Sequence, residues 1–295
     1  MVYSLLSEHS TMNKCLGFNG TTDAILAIWE QNAKKWPGTG SPWRPSSGDI
    51  RVYKELSGVK LPGAVLILGA TPEIRDMVAA YDRPATIVDI SSTMYDRMSL
   101  LLKKASPARE RFIRADWSSM PFQSETFDLV VGDMVWWVLS VETQRAVRDA
   151  LWSCLKPDGL FVARFRVSDR SRIGESYRDI LTSHLNRLSQ DPSCEHAIRG
   201  EMLSCLYDHT ADAGLLRLNR ERARDILLEA AESREYEGHR LFLRDAATRL
   251  IGADWTSQTK EEVLASFDGR FSVLTEAFAD DYESSWYPVF ACQKR

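Results

Sequence analysis

The order of apolar and helical patterns between residues 63 and 89 constrains the fold of this chain more than any other feature. An apolar run at 64–68 ends at Gly69, a helical pattern follows at 73–81, and a second apolar run ends at Asp89. In such a unit a glycine lets the backbone approach a ligand, and the acid at the next strand end accepts hydrogen bonds from ribose hydroxyls. The segment therefore predicts a βαβ unit that binds a nucleoside.

The same alternation continues to residue 167 and predicts a mostly parallel sheet with helices on both faces. The apolar run near 127–132 is continuous, which is typical of a strand buried on both faces. We place strands near 64–68, 85–89, 111–115, 127–132 and 159–167, and helices near 73–81, 92–104 and 142–155.

Outside this region the sequence predicts an N-terminal arm, a helical stretch and a terminal pair of strands. The helical stretch, residues 170–251, carries no convincing strand, and its apolar residues recur at helical spacing. The last two strand candidates indicate an antiparallel hairpin. The remaining predicted elements are an irregular or weakly helical arm at 1–20, helices at 23–35, 49–56 and 260–267, and strands at 271–278 and 287–292.

Composition and charge disfavour several classes of partner. The net charge is −4, and no basic block is interleaved with aromatic residues, so a nucleic-acid partner is not expected. No apolar run reaches the roughly 18 residues needed to cross a membrane, and the N-terminus lacks a secretion signal. Five scattered cysteines favour reduced thiols. We therefore expect a cytoplasmic protein without a membrane partner, and its oligomeric state stays open.

Five segments resemble, in their order and spacing, the class I, Rossmann-like, S-adenosylmethionine-dependent methyltransferases. The likeness covers roughly residues 45 to 168 and resumes at 260–295. The matching segments are 65–73, 87–94, 115–117, 126–133 and 155–164.

The resemblance implies an α/β fold with a seven-stranded, mostly parallel, Rossmann-like sheet that ends in an antiparallel C-terminal hairpin. Its implied division is a helical arm at 1–50, a cofactor-binding domain at 51–168 plus 256–295, and a helical insertion at 169–255. Because the insertion follows the fifth strand, we expect it to form a lid over a small-molecule acceptor.

The resemblance also implies roles in binding S-adenosylmethionine. The acid that ends the second strand, Asp89, would bind the ribose, with capping of the next helix as the alternative. Asp116 would accept from the adenine amino group, or serve only as a turn residue. Trp117 would support the adenine ring, with Ile90 beside it and Met94 nearby.

The first glycine motif departs from the family pattern of an acidic residue followed by Gly-x-Gly-x-Gly. Ile67 stands at the acidic place, and only Gly69 of the three glycines is present. The turn continues through Ala70 and Thr71, whose hydroxyl is a candidate contact, and the next helix begins with free amides. Glu73 is expected to accept from the methionine ammonium of the cofactor.

Two further polar residues are candidates near the cofactor. Asp133 ends the fourth strand, where it would contact the cofactor ammonium or the acceptor, or only hold a loop. Arg44 would fork onto a carboxylate of the cofactor or of the acceptor, with an ordinary surface arginine as the alternative.

Aromatic residues supply the acceptor candidates. Trp136 and Trp137 are adjacent, and neighbouring side chains of an extended chain face opposite ways, so at most one of them easily lines a pocket. Core packing of both is the alternative. Trp43, which precedes the sheet domain, is the third candidate for acceptor binding.

Candidate general bases are Asp133, His209 and Tyr282, which are needed only if the acceptor is protonated at the working pH. Cys194, His196, Cys205 and His209 are potential zinc ligands, but the first spacing is tighter than in structural zinc sites. We therefore interpret them as helix residues and predict no metal.

These residues predict in-line methyl transfer to an O, N or C nucleophile of a small-molecule acceptor. Two alternatives stay open. An enzyme that cyclises or cleaves S-adenosylmethionine itself is allowed by the altered glycine turn, and a non-catalytic cofactor-binding homologue is motivated by the missing glycines.

Overall fold

The computed structural model describes residues 22–212, 218–250 and 255–295. The arm predicted at 1–20 lies outside the described residues.

A seven-stranded sheet of order β3-β2-β1-β4-β5-β7-β6 forms the centre of the chain. The first five strands pair in parallel, and β7 runs antiparallel between β5 and β6. The predicted fold class is therefore confirmed, including the antiparallel C-terminal pair. The strands are β1 (Val65–Leu68), β2 (Ala85–Asp89), β3 (Arg111–Arg114), β4 (Phe127–Asp133), β5 (Leu155–Arg164), β6 (Phe271–Ala277) and β7 (Val289–Lys294).

The central strands are buried on both faces, which explains their continuous apolar runs. In β1, Leu66 and Leu68 pack into the core on one face of the sheet, whereas Val65 and Ile67 pack into the core on the other. The two cores hold the strand ends in register, and this register positions the residues that follow each strand.

The helices flank the sheet and then form a separate group after β5. Their starts follow from the local sequence: Ser46 and Asp49 form a reciprocal cap on α2, and Pro72 begins α3. The helices are α1 (Thr22–Lys35), α2 (Ser47–Ser57), α3 (Pro72–Ala79), α4 (Ser92–Ser99), α5 (Val141–Cys154), α6 (Tyr177–Gln190), α7 (Glu195–Thr210), α8 (Arg220–Glu232), α9 (Arg240–Thr248) and α10 (Lys260–Ala265).

Helices α6 to α9 share one hydrophobic cluster, to which the sheet domain contributes Met134, Trp137 and Tyr287. The region between β5 and α10 is therefore a helical layer of its own that is joined to the sheet by a few large aromatic side chains. Within the described residues, no helix combines the length and the apolar character that crossing a bilayer requires.

Candidate functional site

A cavity runs along the carboxyl ends of the parallel strands and continues beneath helices from two other parts of the chain. Its floor is the sheet edge, from the ends of β1, β2 and β4 and the turn after β3. Its walls come from α1 with the segment 36–43, and from α7 with the segment that follows α9. The cavity lies where open α/β sheets bind ligands, beyond the carboxyl ends of the strands.

Gly69 provides an open stretch of backbone at the floor of this cavity. Its φ of +84° is in the left-handed region, which an L side chain rarely adopts, and its amide donates to Val88 O at 2.9 Å. A Cβ at this position would meet the Trp117 ring at 3.6 Å and Asp89 Oδ2 at 3.9 Å. The glycine therefore keeps the backbone clear between a carboxylate and an indole.

Asp89 lies in the floor of the cavity, with only 9% of its surface exposed. Its Oδ1 accepts from the Ser91 amide at 2.8 Å. The cap of α4 is Ser91, whose Oγ accepts from the Met94 amide, so Asp89 is not the helix cap. Burial raises the pKa of Asp89 to about 7, against the hydrogen bonds from Ser91 and Ile90 that favour the charged form. This carboxylate gains from any ligand that donates hydrogen bonds to it.

The two carboxylate oxygens of Asp116 have different surroundings. Oδ1 accepts from the amide and the hydroxyl of Ser118 at 2.8 and 2.7 Å, which is the turn role. Oδ2 is buried and has no hydrogen-bond partner. A buried acceptor without a partner costs free energy, so this oxygen is set to receive a donor from a ligand.

Trp117 is fixed by its own hydrogen bond, since Nε1 donates to Val88 O at 2.9 Å. Its ring therefore lies against Gly69, with Asp116 next to it in the chain. The remaining predicted contacts Ala70, Thr71, Ile90 and Met94 also line the cavity. Ala70 and Met94 pack with Trp29 and Trp36 from the α1 segment, so this segment closes one side of the floor.

The structure brings Arg44 and Glu73 together and places both outside the cavity lining. Arg44 Nε donates to Glu73 Oε1, so the two opposite charges pair with one another, while Glu73 Oε2 is buried without a hydrogen-bond partner. The expectation that Glu73 would receive the cofactor ammonium and that Arg44 would hold a carboxylate therefore has no support in this geometry.

Asp133 lines the cavity, and its carboxylate forms an ion pair with the buried side chain of Arg164. Arg164 Nε donates to Oδ1 at 2.7 Å and Nη2 to Oδ2 at 3.1 Å. Arg164 also donates to Asp49 at 2.7 Å and to the Tyr282 hydroxyl at 3.0 Å. Tyr53 adds a hydrogen bond from its hydroxyl to Gly132 O at 2.7 Å. This network joins α2, β4, β5 and the loop before β7 in the protein interior.

The network changes the reading of two candidate bases. Both Asp133 oxygens accept from a guanidinium, which disfavours proton uptake there, although burial raises the pKa of Asp133. Tyr282 lies outside the cavity lining, donates to Asp49, and has its pKa raised by burial. His209 also lies outside the lining, near the end of α7. None of the three is placed as a free base beside the cavity.

The side chains of the adjacent Trp136 and Trp137 point to different places, as predicted. The two residues lie in a short 3-10 turn and not in the extended chain on which that prediction was based. Trp137 lines the cavity. Trp136 packs in the sheet core against Phe161 and Phe267, and its Nε1 donates to Ser266 Oγ at 2.9 Å. The expected acceptor role of Trp136 is therefore replaced by a core role.

Trp137 belongs to a cluster of aromatic side chains that line the cavity, together with Trp43, Tyr207 and Trp255. Trp43 stacks on it with ring centroids 4.7 Å apart, and Trp255 contacts it at 4.0 Å. Tyr207 packs edge-on against both tryptophans of the first pair. The Nε1 atoms of Trp43 and Trp137 are buried without hydrogen-bond partners, so they are available donors in the aromatic cluster.

In the part of the chain that the structure describes, no group of three or more His, Cys, Asp or Glu side chains is placed to hold a metal ion. His196 lines the cavity, whereas Cys194 is exposed at the start of α7 and Cys205 is buried beside His184.

Sequence reasoning did not identify Arg164, Tyr207 or Trp255 as site residues. Arg164 ends β5, and an arginine in a buried strand is a signal that an acidic partner is needed. Tyr207 and Trp255 belong to the insertion predicted at 169–255, where apolar spacing indicates packing but not which face meets the sheet edge. Only the fold shows that they contact Trp43.

The polar groups and the open backbone in the floor of the cavity fit an adenine nucleoside. Asp116 Oδ2 needs a donor, as an exocyclic amino group supplies. The Asp89 carboxylate suits a pair of ribose hydroxyls, and Gly69 leaves room for a ligand to cross β1.

A family model described as a methyltransferase domain matches residues 69–159, the segment that carries these floor residues. A comparison with curated proteins finds no match.

Several solved structures share the fold at low identity. A Rhodobacter sphaeroides protein, named provisionally as a Zn-dependent alcohol dehydrogenase, aligns over 94% of this chain and 100% of its own, with 16% identity and a TM-score of 0.58. A Pyrococcus horikoshii OT3 protein aligns over 88% of this chain and 99% of its own, with 14% identity and a TM-score of 0.50. An N-methyltransferase from Bradyrhizobium japonicum, solved with S-adenosyl-L-homocysteine, aligns over 90% and 98%, with 11% identity and a TM-score of 0.48. At these identities the likeness extends to the fold alone.

Proposed function

We propose that this chain, which belongs to the class I, Rossmann-like, S-adenosylmethionine-dependent methyltransferases, transfers a methyl group to an O, N or C nucleophile of a small molecule. The single observation that carries the proposal is a continuous cavity. It joins the nucleoside-type floor at Asp89 and Asp116 to the aromatic cluster around Trp137.

The floor residues would hold S-adenosylmethionine, the cofactor of this family. We assign the ribose hydroxyls to Asp89, the adenine amino group to Asp116 Oδ2 and the adenine face to Trp117. Gly69 and Ala70 would pass beneath the methionine part. When bound, the cofactor supplies a methyl group that is already activated on a sulfonium.

The task left to the protein is alignment and the exclusion of water. Fixing a nucleophile in line with the methyl group can supply about 7–11 kcal/mol of the barrier. The aromatic cluster would hold the acceptor by its flat faces, and the donors Trp43 Nε1 and Trp137 Nε1 would orient a polar atom of it. No proton transfer is assigned to Asp133, since Arg164 holds both of its oxygens.

A small acceptor is favoured by the way the walls close over the cavity. Gly200 of α7 lies so close to Pro42 and Trp43 that a Cβ there would overlap the proline ring. The N-terminal segment and the insertion thus meet above the sheet edge. A folded polypeptide would have to part them in order to reach the floor.

The test is incubation of the purified protein with methyl-labelled S-adenosylmethionine, alone and with a panel of small phenols, amines and aromatic acids. We expect S-adenosylhomocysteine only when an acceptor is present, together with label on that acceptor. Methylthioadenosine formed without an acceptor would instead support self-reaction of the cofactor. Absence of S-adenosylhomocysteine binding in calorimetry would contradict the cofactor assignment itself.

A further inference from the structure

The charged side chains that line the cavity are separated by sign. Among the described residues, the lining carboxylates are Asp89, Asp116 and Asp133, and all three lie at the sheet edge. The lining cations, Lys35, Arg199 and Arg249, all lie on the side formed by α1 and the helical insertion. The half of the cavity away from the sheet therefore has no lining carboxylate to receive a cationic group.

The three cations are drawn together around few acids. Arg199 Nε and Arg249 Nε contact the same oxygen, Asp245 Oδ2, at 3.3 and 3.2 Å. Glu195 pairs with Arg199 from outside the cavity lining. Lys35 Nζ donates to Thr248 O at 2.7 Å rather than to a carboxylate. Three positive charges thus share two acids behind them.

The crowding of the cations shifts the pKa values of two of them. Burial and the Arg249 guanidinium lower the pKa of Lys35, and the same two causes lower the pKa of Arg199. An anion that enters this side of the cavity would offset the repulsion that Arg249 exerts on Lys35 and on Arg199, whereas a cation would add to that repulsion.

The aromatic cluster points to the same sign of charge. Arg220 lies over the Trp255 ring at 4.2 Å, and Arg166 lies near the Trp137 ring at 5.7 Å. Guanidinium groups therefore already occupy ring faces on the outside of the cluster. The rings are also in mutual contact, at 4.0–4.7 Å between the centroids of Trp137 and its two tryptophan neighbours, so they form a wall rather than an open cage for an ammonium.

We propose that the acceptor is a planar aromatic acid, with its ring against Trp43 and Trp137 and its carboxylate facing Lys35 and Arg249. This inference rests on the proposed methyltransferase function and specifies the substrate class of the same cavity. The anionic group would lie between Lys35 of α1 and Arg249, and the ring would carry the nucleophile towards the sheet edge.

One other carboxylate could occupy the cation cluster, namely that of the methionine part of the cofactor. Comparing S-adenosylhomocysteine with methylthioadenosine separates the two sources, because methylthioadenosine lacks the amino-acid group. If the cations serve the acceptor, neutralising them leaves the affinity for both nucleosides nearly unchanged.

The experiment measures binding to the full chain saturated with S-adenosylhomocysteine, by calorimetry and by quenching of tryptophan fluorescence. The probes are 4-hydroxybenzoate, 4-hydroxycinnamate and 6-hydroxy-2-naphthoate, each beside its neutral amide and its cationic amidine. We expect the acids to bind about tenfold more tightly than the amides, as a charge-assisted contact allows, and the amidines to bind most weakly.

The variants Lys35→Gln and Arg249→Gln should each reduce the preference for acid over amide severalfold, and together should remove it. Lys34→Gln is the matched control, since this neighbouring lysine is exposed and pairs with Glu30 outside the cavity. It should keep the full preference and the same affinity for the nucleosides.

Three results would overturn the proposal. The first is amides or amidines that bind as well as the acids, and the second is an absence of binding by every acid to the loaded protein. The third is a Lys35→Gln or Arg249→Gln variant that loses affinity for S-adenosylhomocysteine but not for methylthioadenosine, which would assign the cations to the cofactor. Failure of S-adenosylhomocysteine to bind the unmodified chain would instead contradict the proposed function.

Discussion

The two sides of the cavity are built in different ways. The sheet edge is made of residues that follow strands in register, and its polar groups are carboxylates, such as Asp89 and Asp116. The opposite side is made of α1, α7, Arg249 and Trp255, and its charged groups are cations. A fixed edge holds the part of a ligand that is common to a family, whereas the helical side can change its residues without disturbing the sheet.

The buried network around Arg164 ties the sheet edge at Asp133 to the helix that precedes β1, and breaking it should have the largest effect. Arg164→Met leaves Asp49 and Asp133 buried without their cation, and we expect a loss of about 3–5 kcal/mol in the free energy of unfolding. Arg164, Asp49 and Asp133 have side chains that are at most 4% exposed. The measurement is urea denaturation of the unliganded protein.

The control for this change is Arg51→Met. Arg51 pairs with Asp280 on the surface, where both side chains are more than half exposed. An exposed pair contributes about 0–1 kcal/mol, so this variant should unfold almost as the parent does. Equal losses for Arg51→Met and Arg164→Met would show that the buried network stabilises the fold no more than an exposed ion pair does.

Substitution of Asp89, the residue assigned to the ribose hydroxyls, should affect the sheet-edge side of the cavity and not the helical side. Asp89→Ala should weaken S-adenosylhomocysteine binding at least about tenfold, since a hydrogen bond to a charged group is worth about 1.5–3 kcal/mol. Calorimetry measures the change, and Asp96→Ala, an exposed acid of α4, is the control. Unchanged affinity in Asp89→Ala would exclude this carboxylate from the cofactor site.

The raised pKa of Asp89 predicts a pH dependence that the cationic side does not share. Its pKa is about 7 in the folded protein against the ordinary value of 3.8, so in the unliganded chain the neutral form is favoured. The stability linked to this group is complete below pH 3.8 and is lost as the pH rises through 7. If the ribose binds the ionised form, S-adenosylhomocysteine should bind about tenfold more weakly at pH 6 than at pH 8.

Titration calorimetry in buffers of matched ionic strength tests this dependence. Asp89→Asn should bind the nucleoside with a nearly flat pH profile, and above pH 7 it should be more stable than the parent without ligand. A parent protein with the same flat profile would contradict both the raised pKa and the role of the charged form.

The smallest effect is expected where the N-terminal segment meets the insertion. Gly200→Ala gains roughly 1 kcal/mol of helix propensity but places a methyl group against Pro42 and Trp43, at a cost of about 1–3 kcal/mol. The net change should be a loss of stability of up to about 2 kcal/mol, because the Cβ would overlap Pro42 Cδ, with a severalfold loss of acceptor affinity and little change for the nucleoside. Gly238→Ala, where nothing lies within 4 Å of the added Cβ, should alter neither affinity.

The sheet edge shows what local patterns can predict. The strand ends at Gly69, Asp89 and Asp133 follow from apolar runs of β-strand length, and parallel strands bring their carboxyl ends to one edge. These residues meet in one cavity as a direct result. The resemblance to a family also indicated Asp116 and Trp117, which lie beside Gly69 and Asp89 in the structure.

Charge pairing over long sequence separations explains most of the departures. Arg44 and Glu73 were each expected to hold a ligand, but they neutralise one another across 29 positions. Asp133 and Tyr282 were candidate bases, but Arg164 donates to Asp133 and the Tyr282 hydroxyl donates to Asp49. A pattern indicates that a residue is charged or polar, but its partner is selected by the fold.

The amino-acid sequence by itself determined the α/β class, the succession of strands along the chain and the residues at the strand ends, because periodicity and strand ends are local properties. The tertiary structure alone decided that Trp43, Tyr207 and Trp255 form one aromatic wall with Trp137, and that Lys35 and Arg249 face the same space. Trp43 and Trp255 are 212 positions apart in the chain, and Lys35 and Arg249 are 214 positions apart. Their meeting depends on how two helical layers pack above the sheet, and hydrophobic packing is not directional enough to be read from spacing.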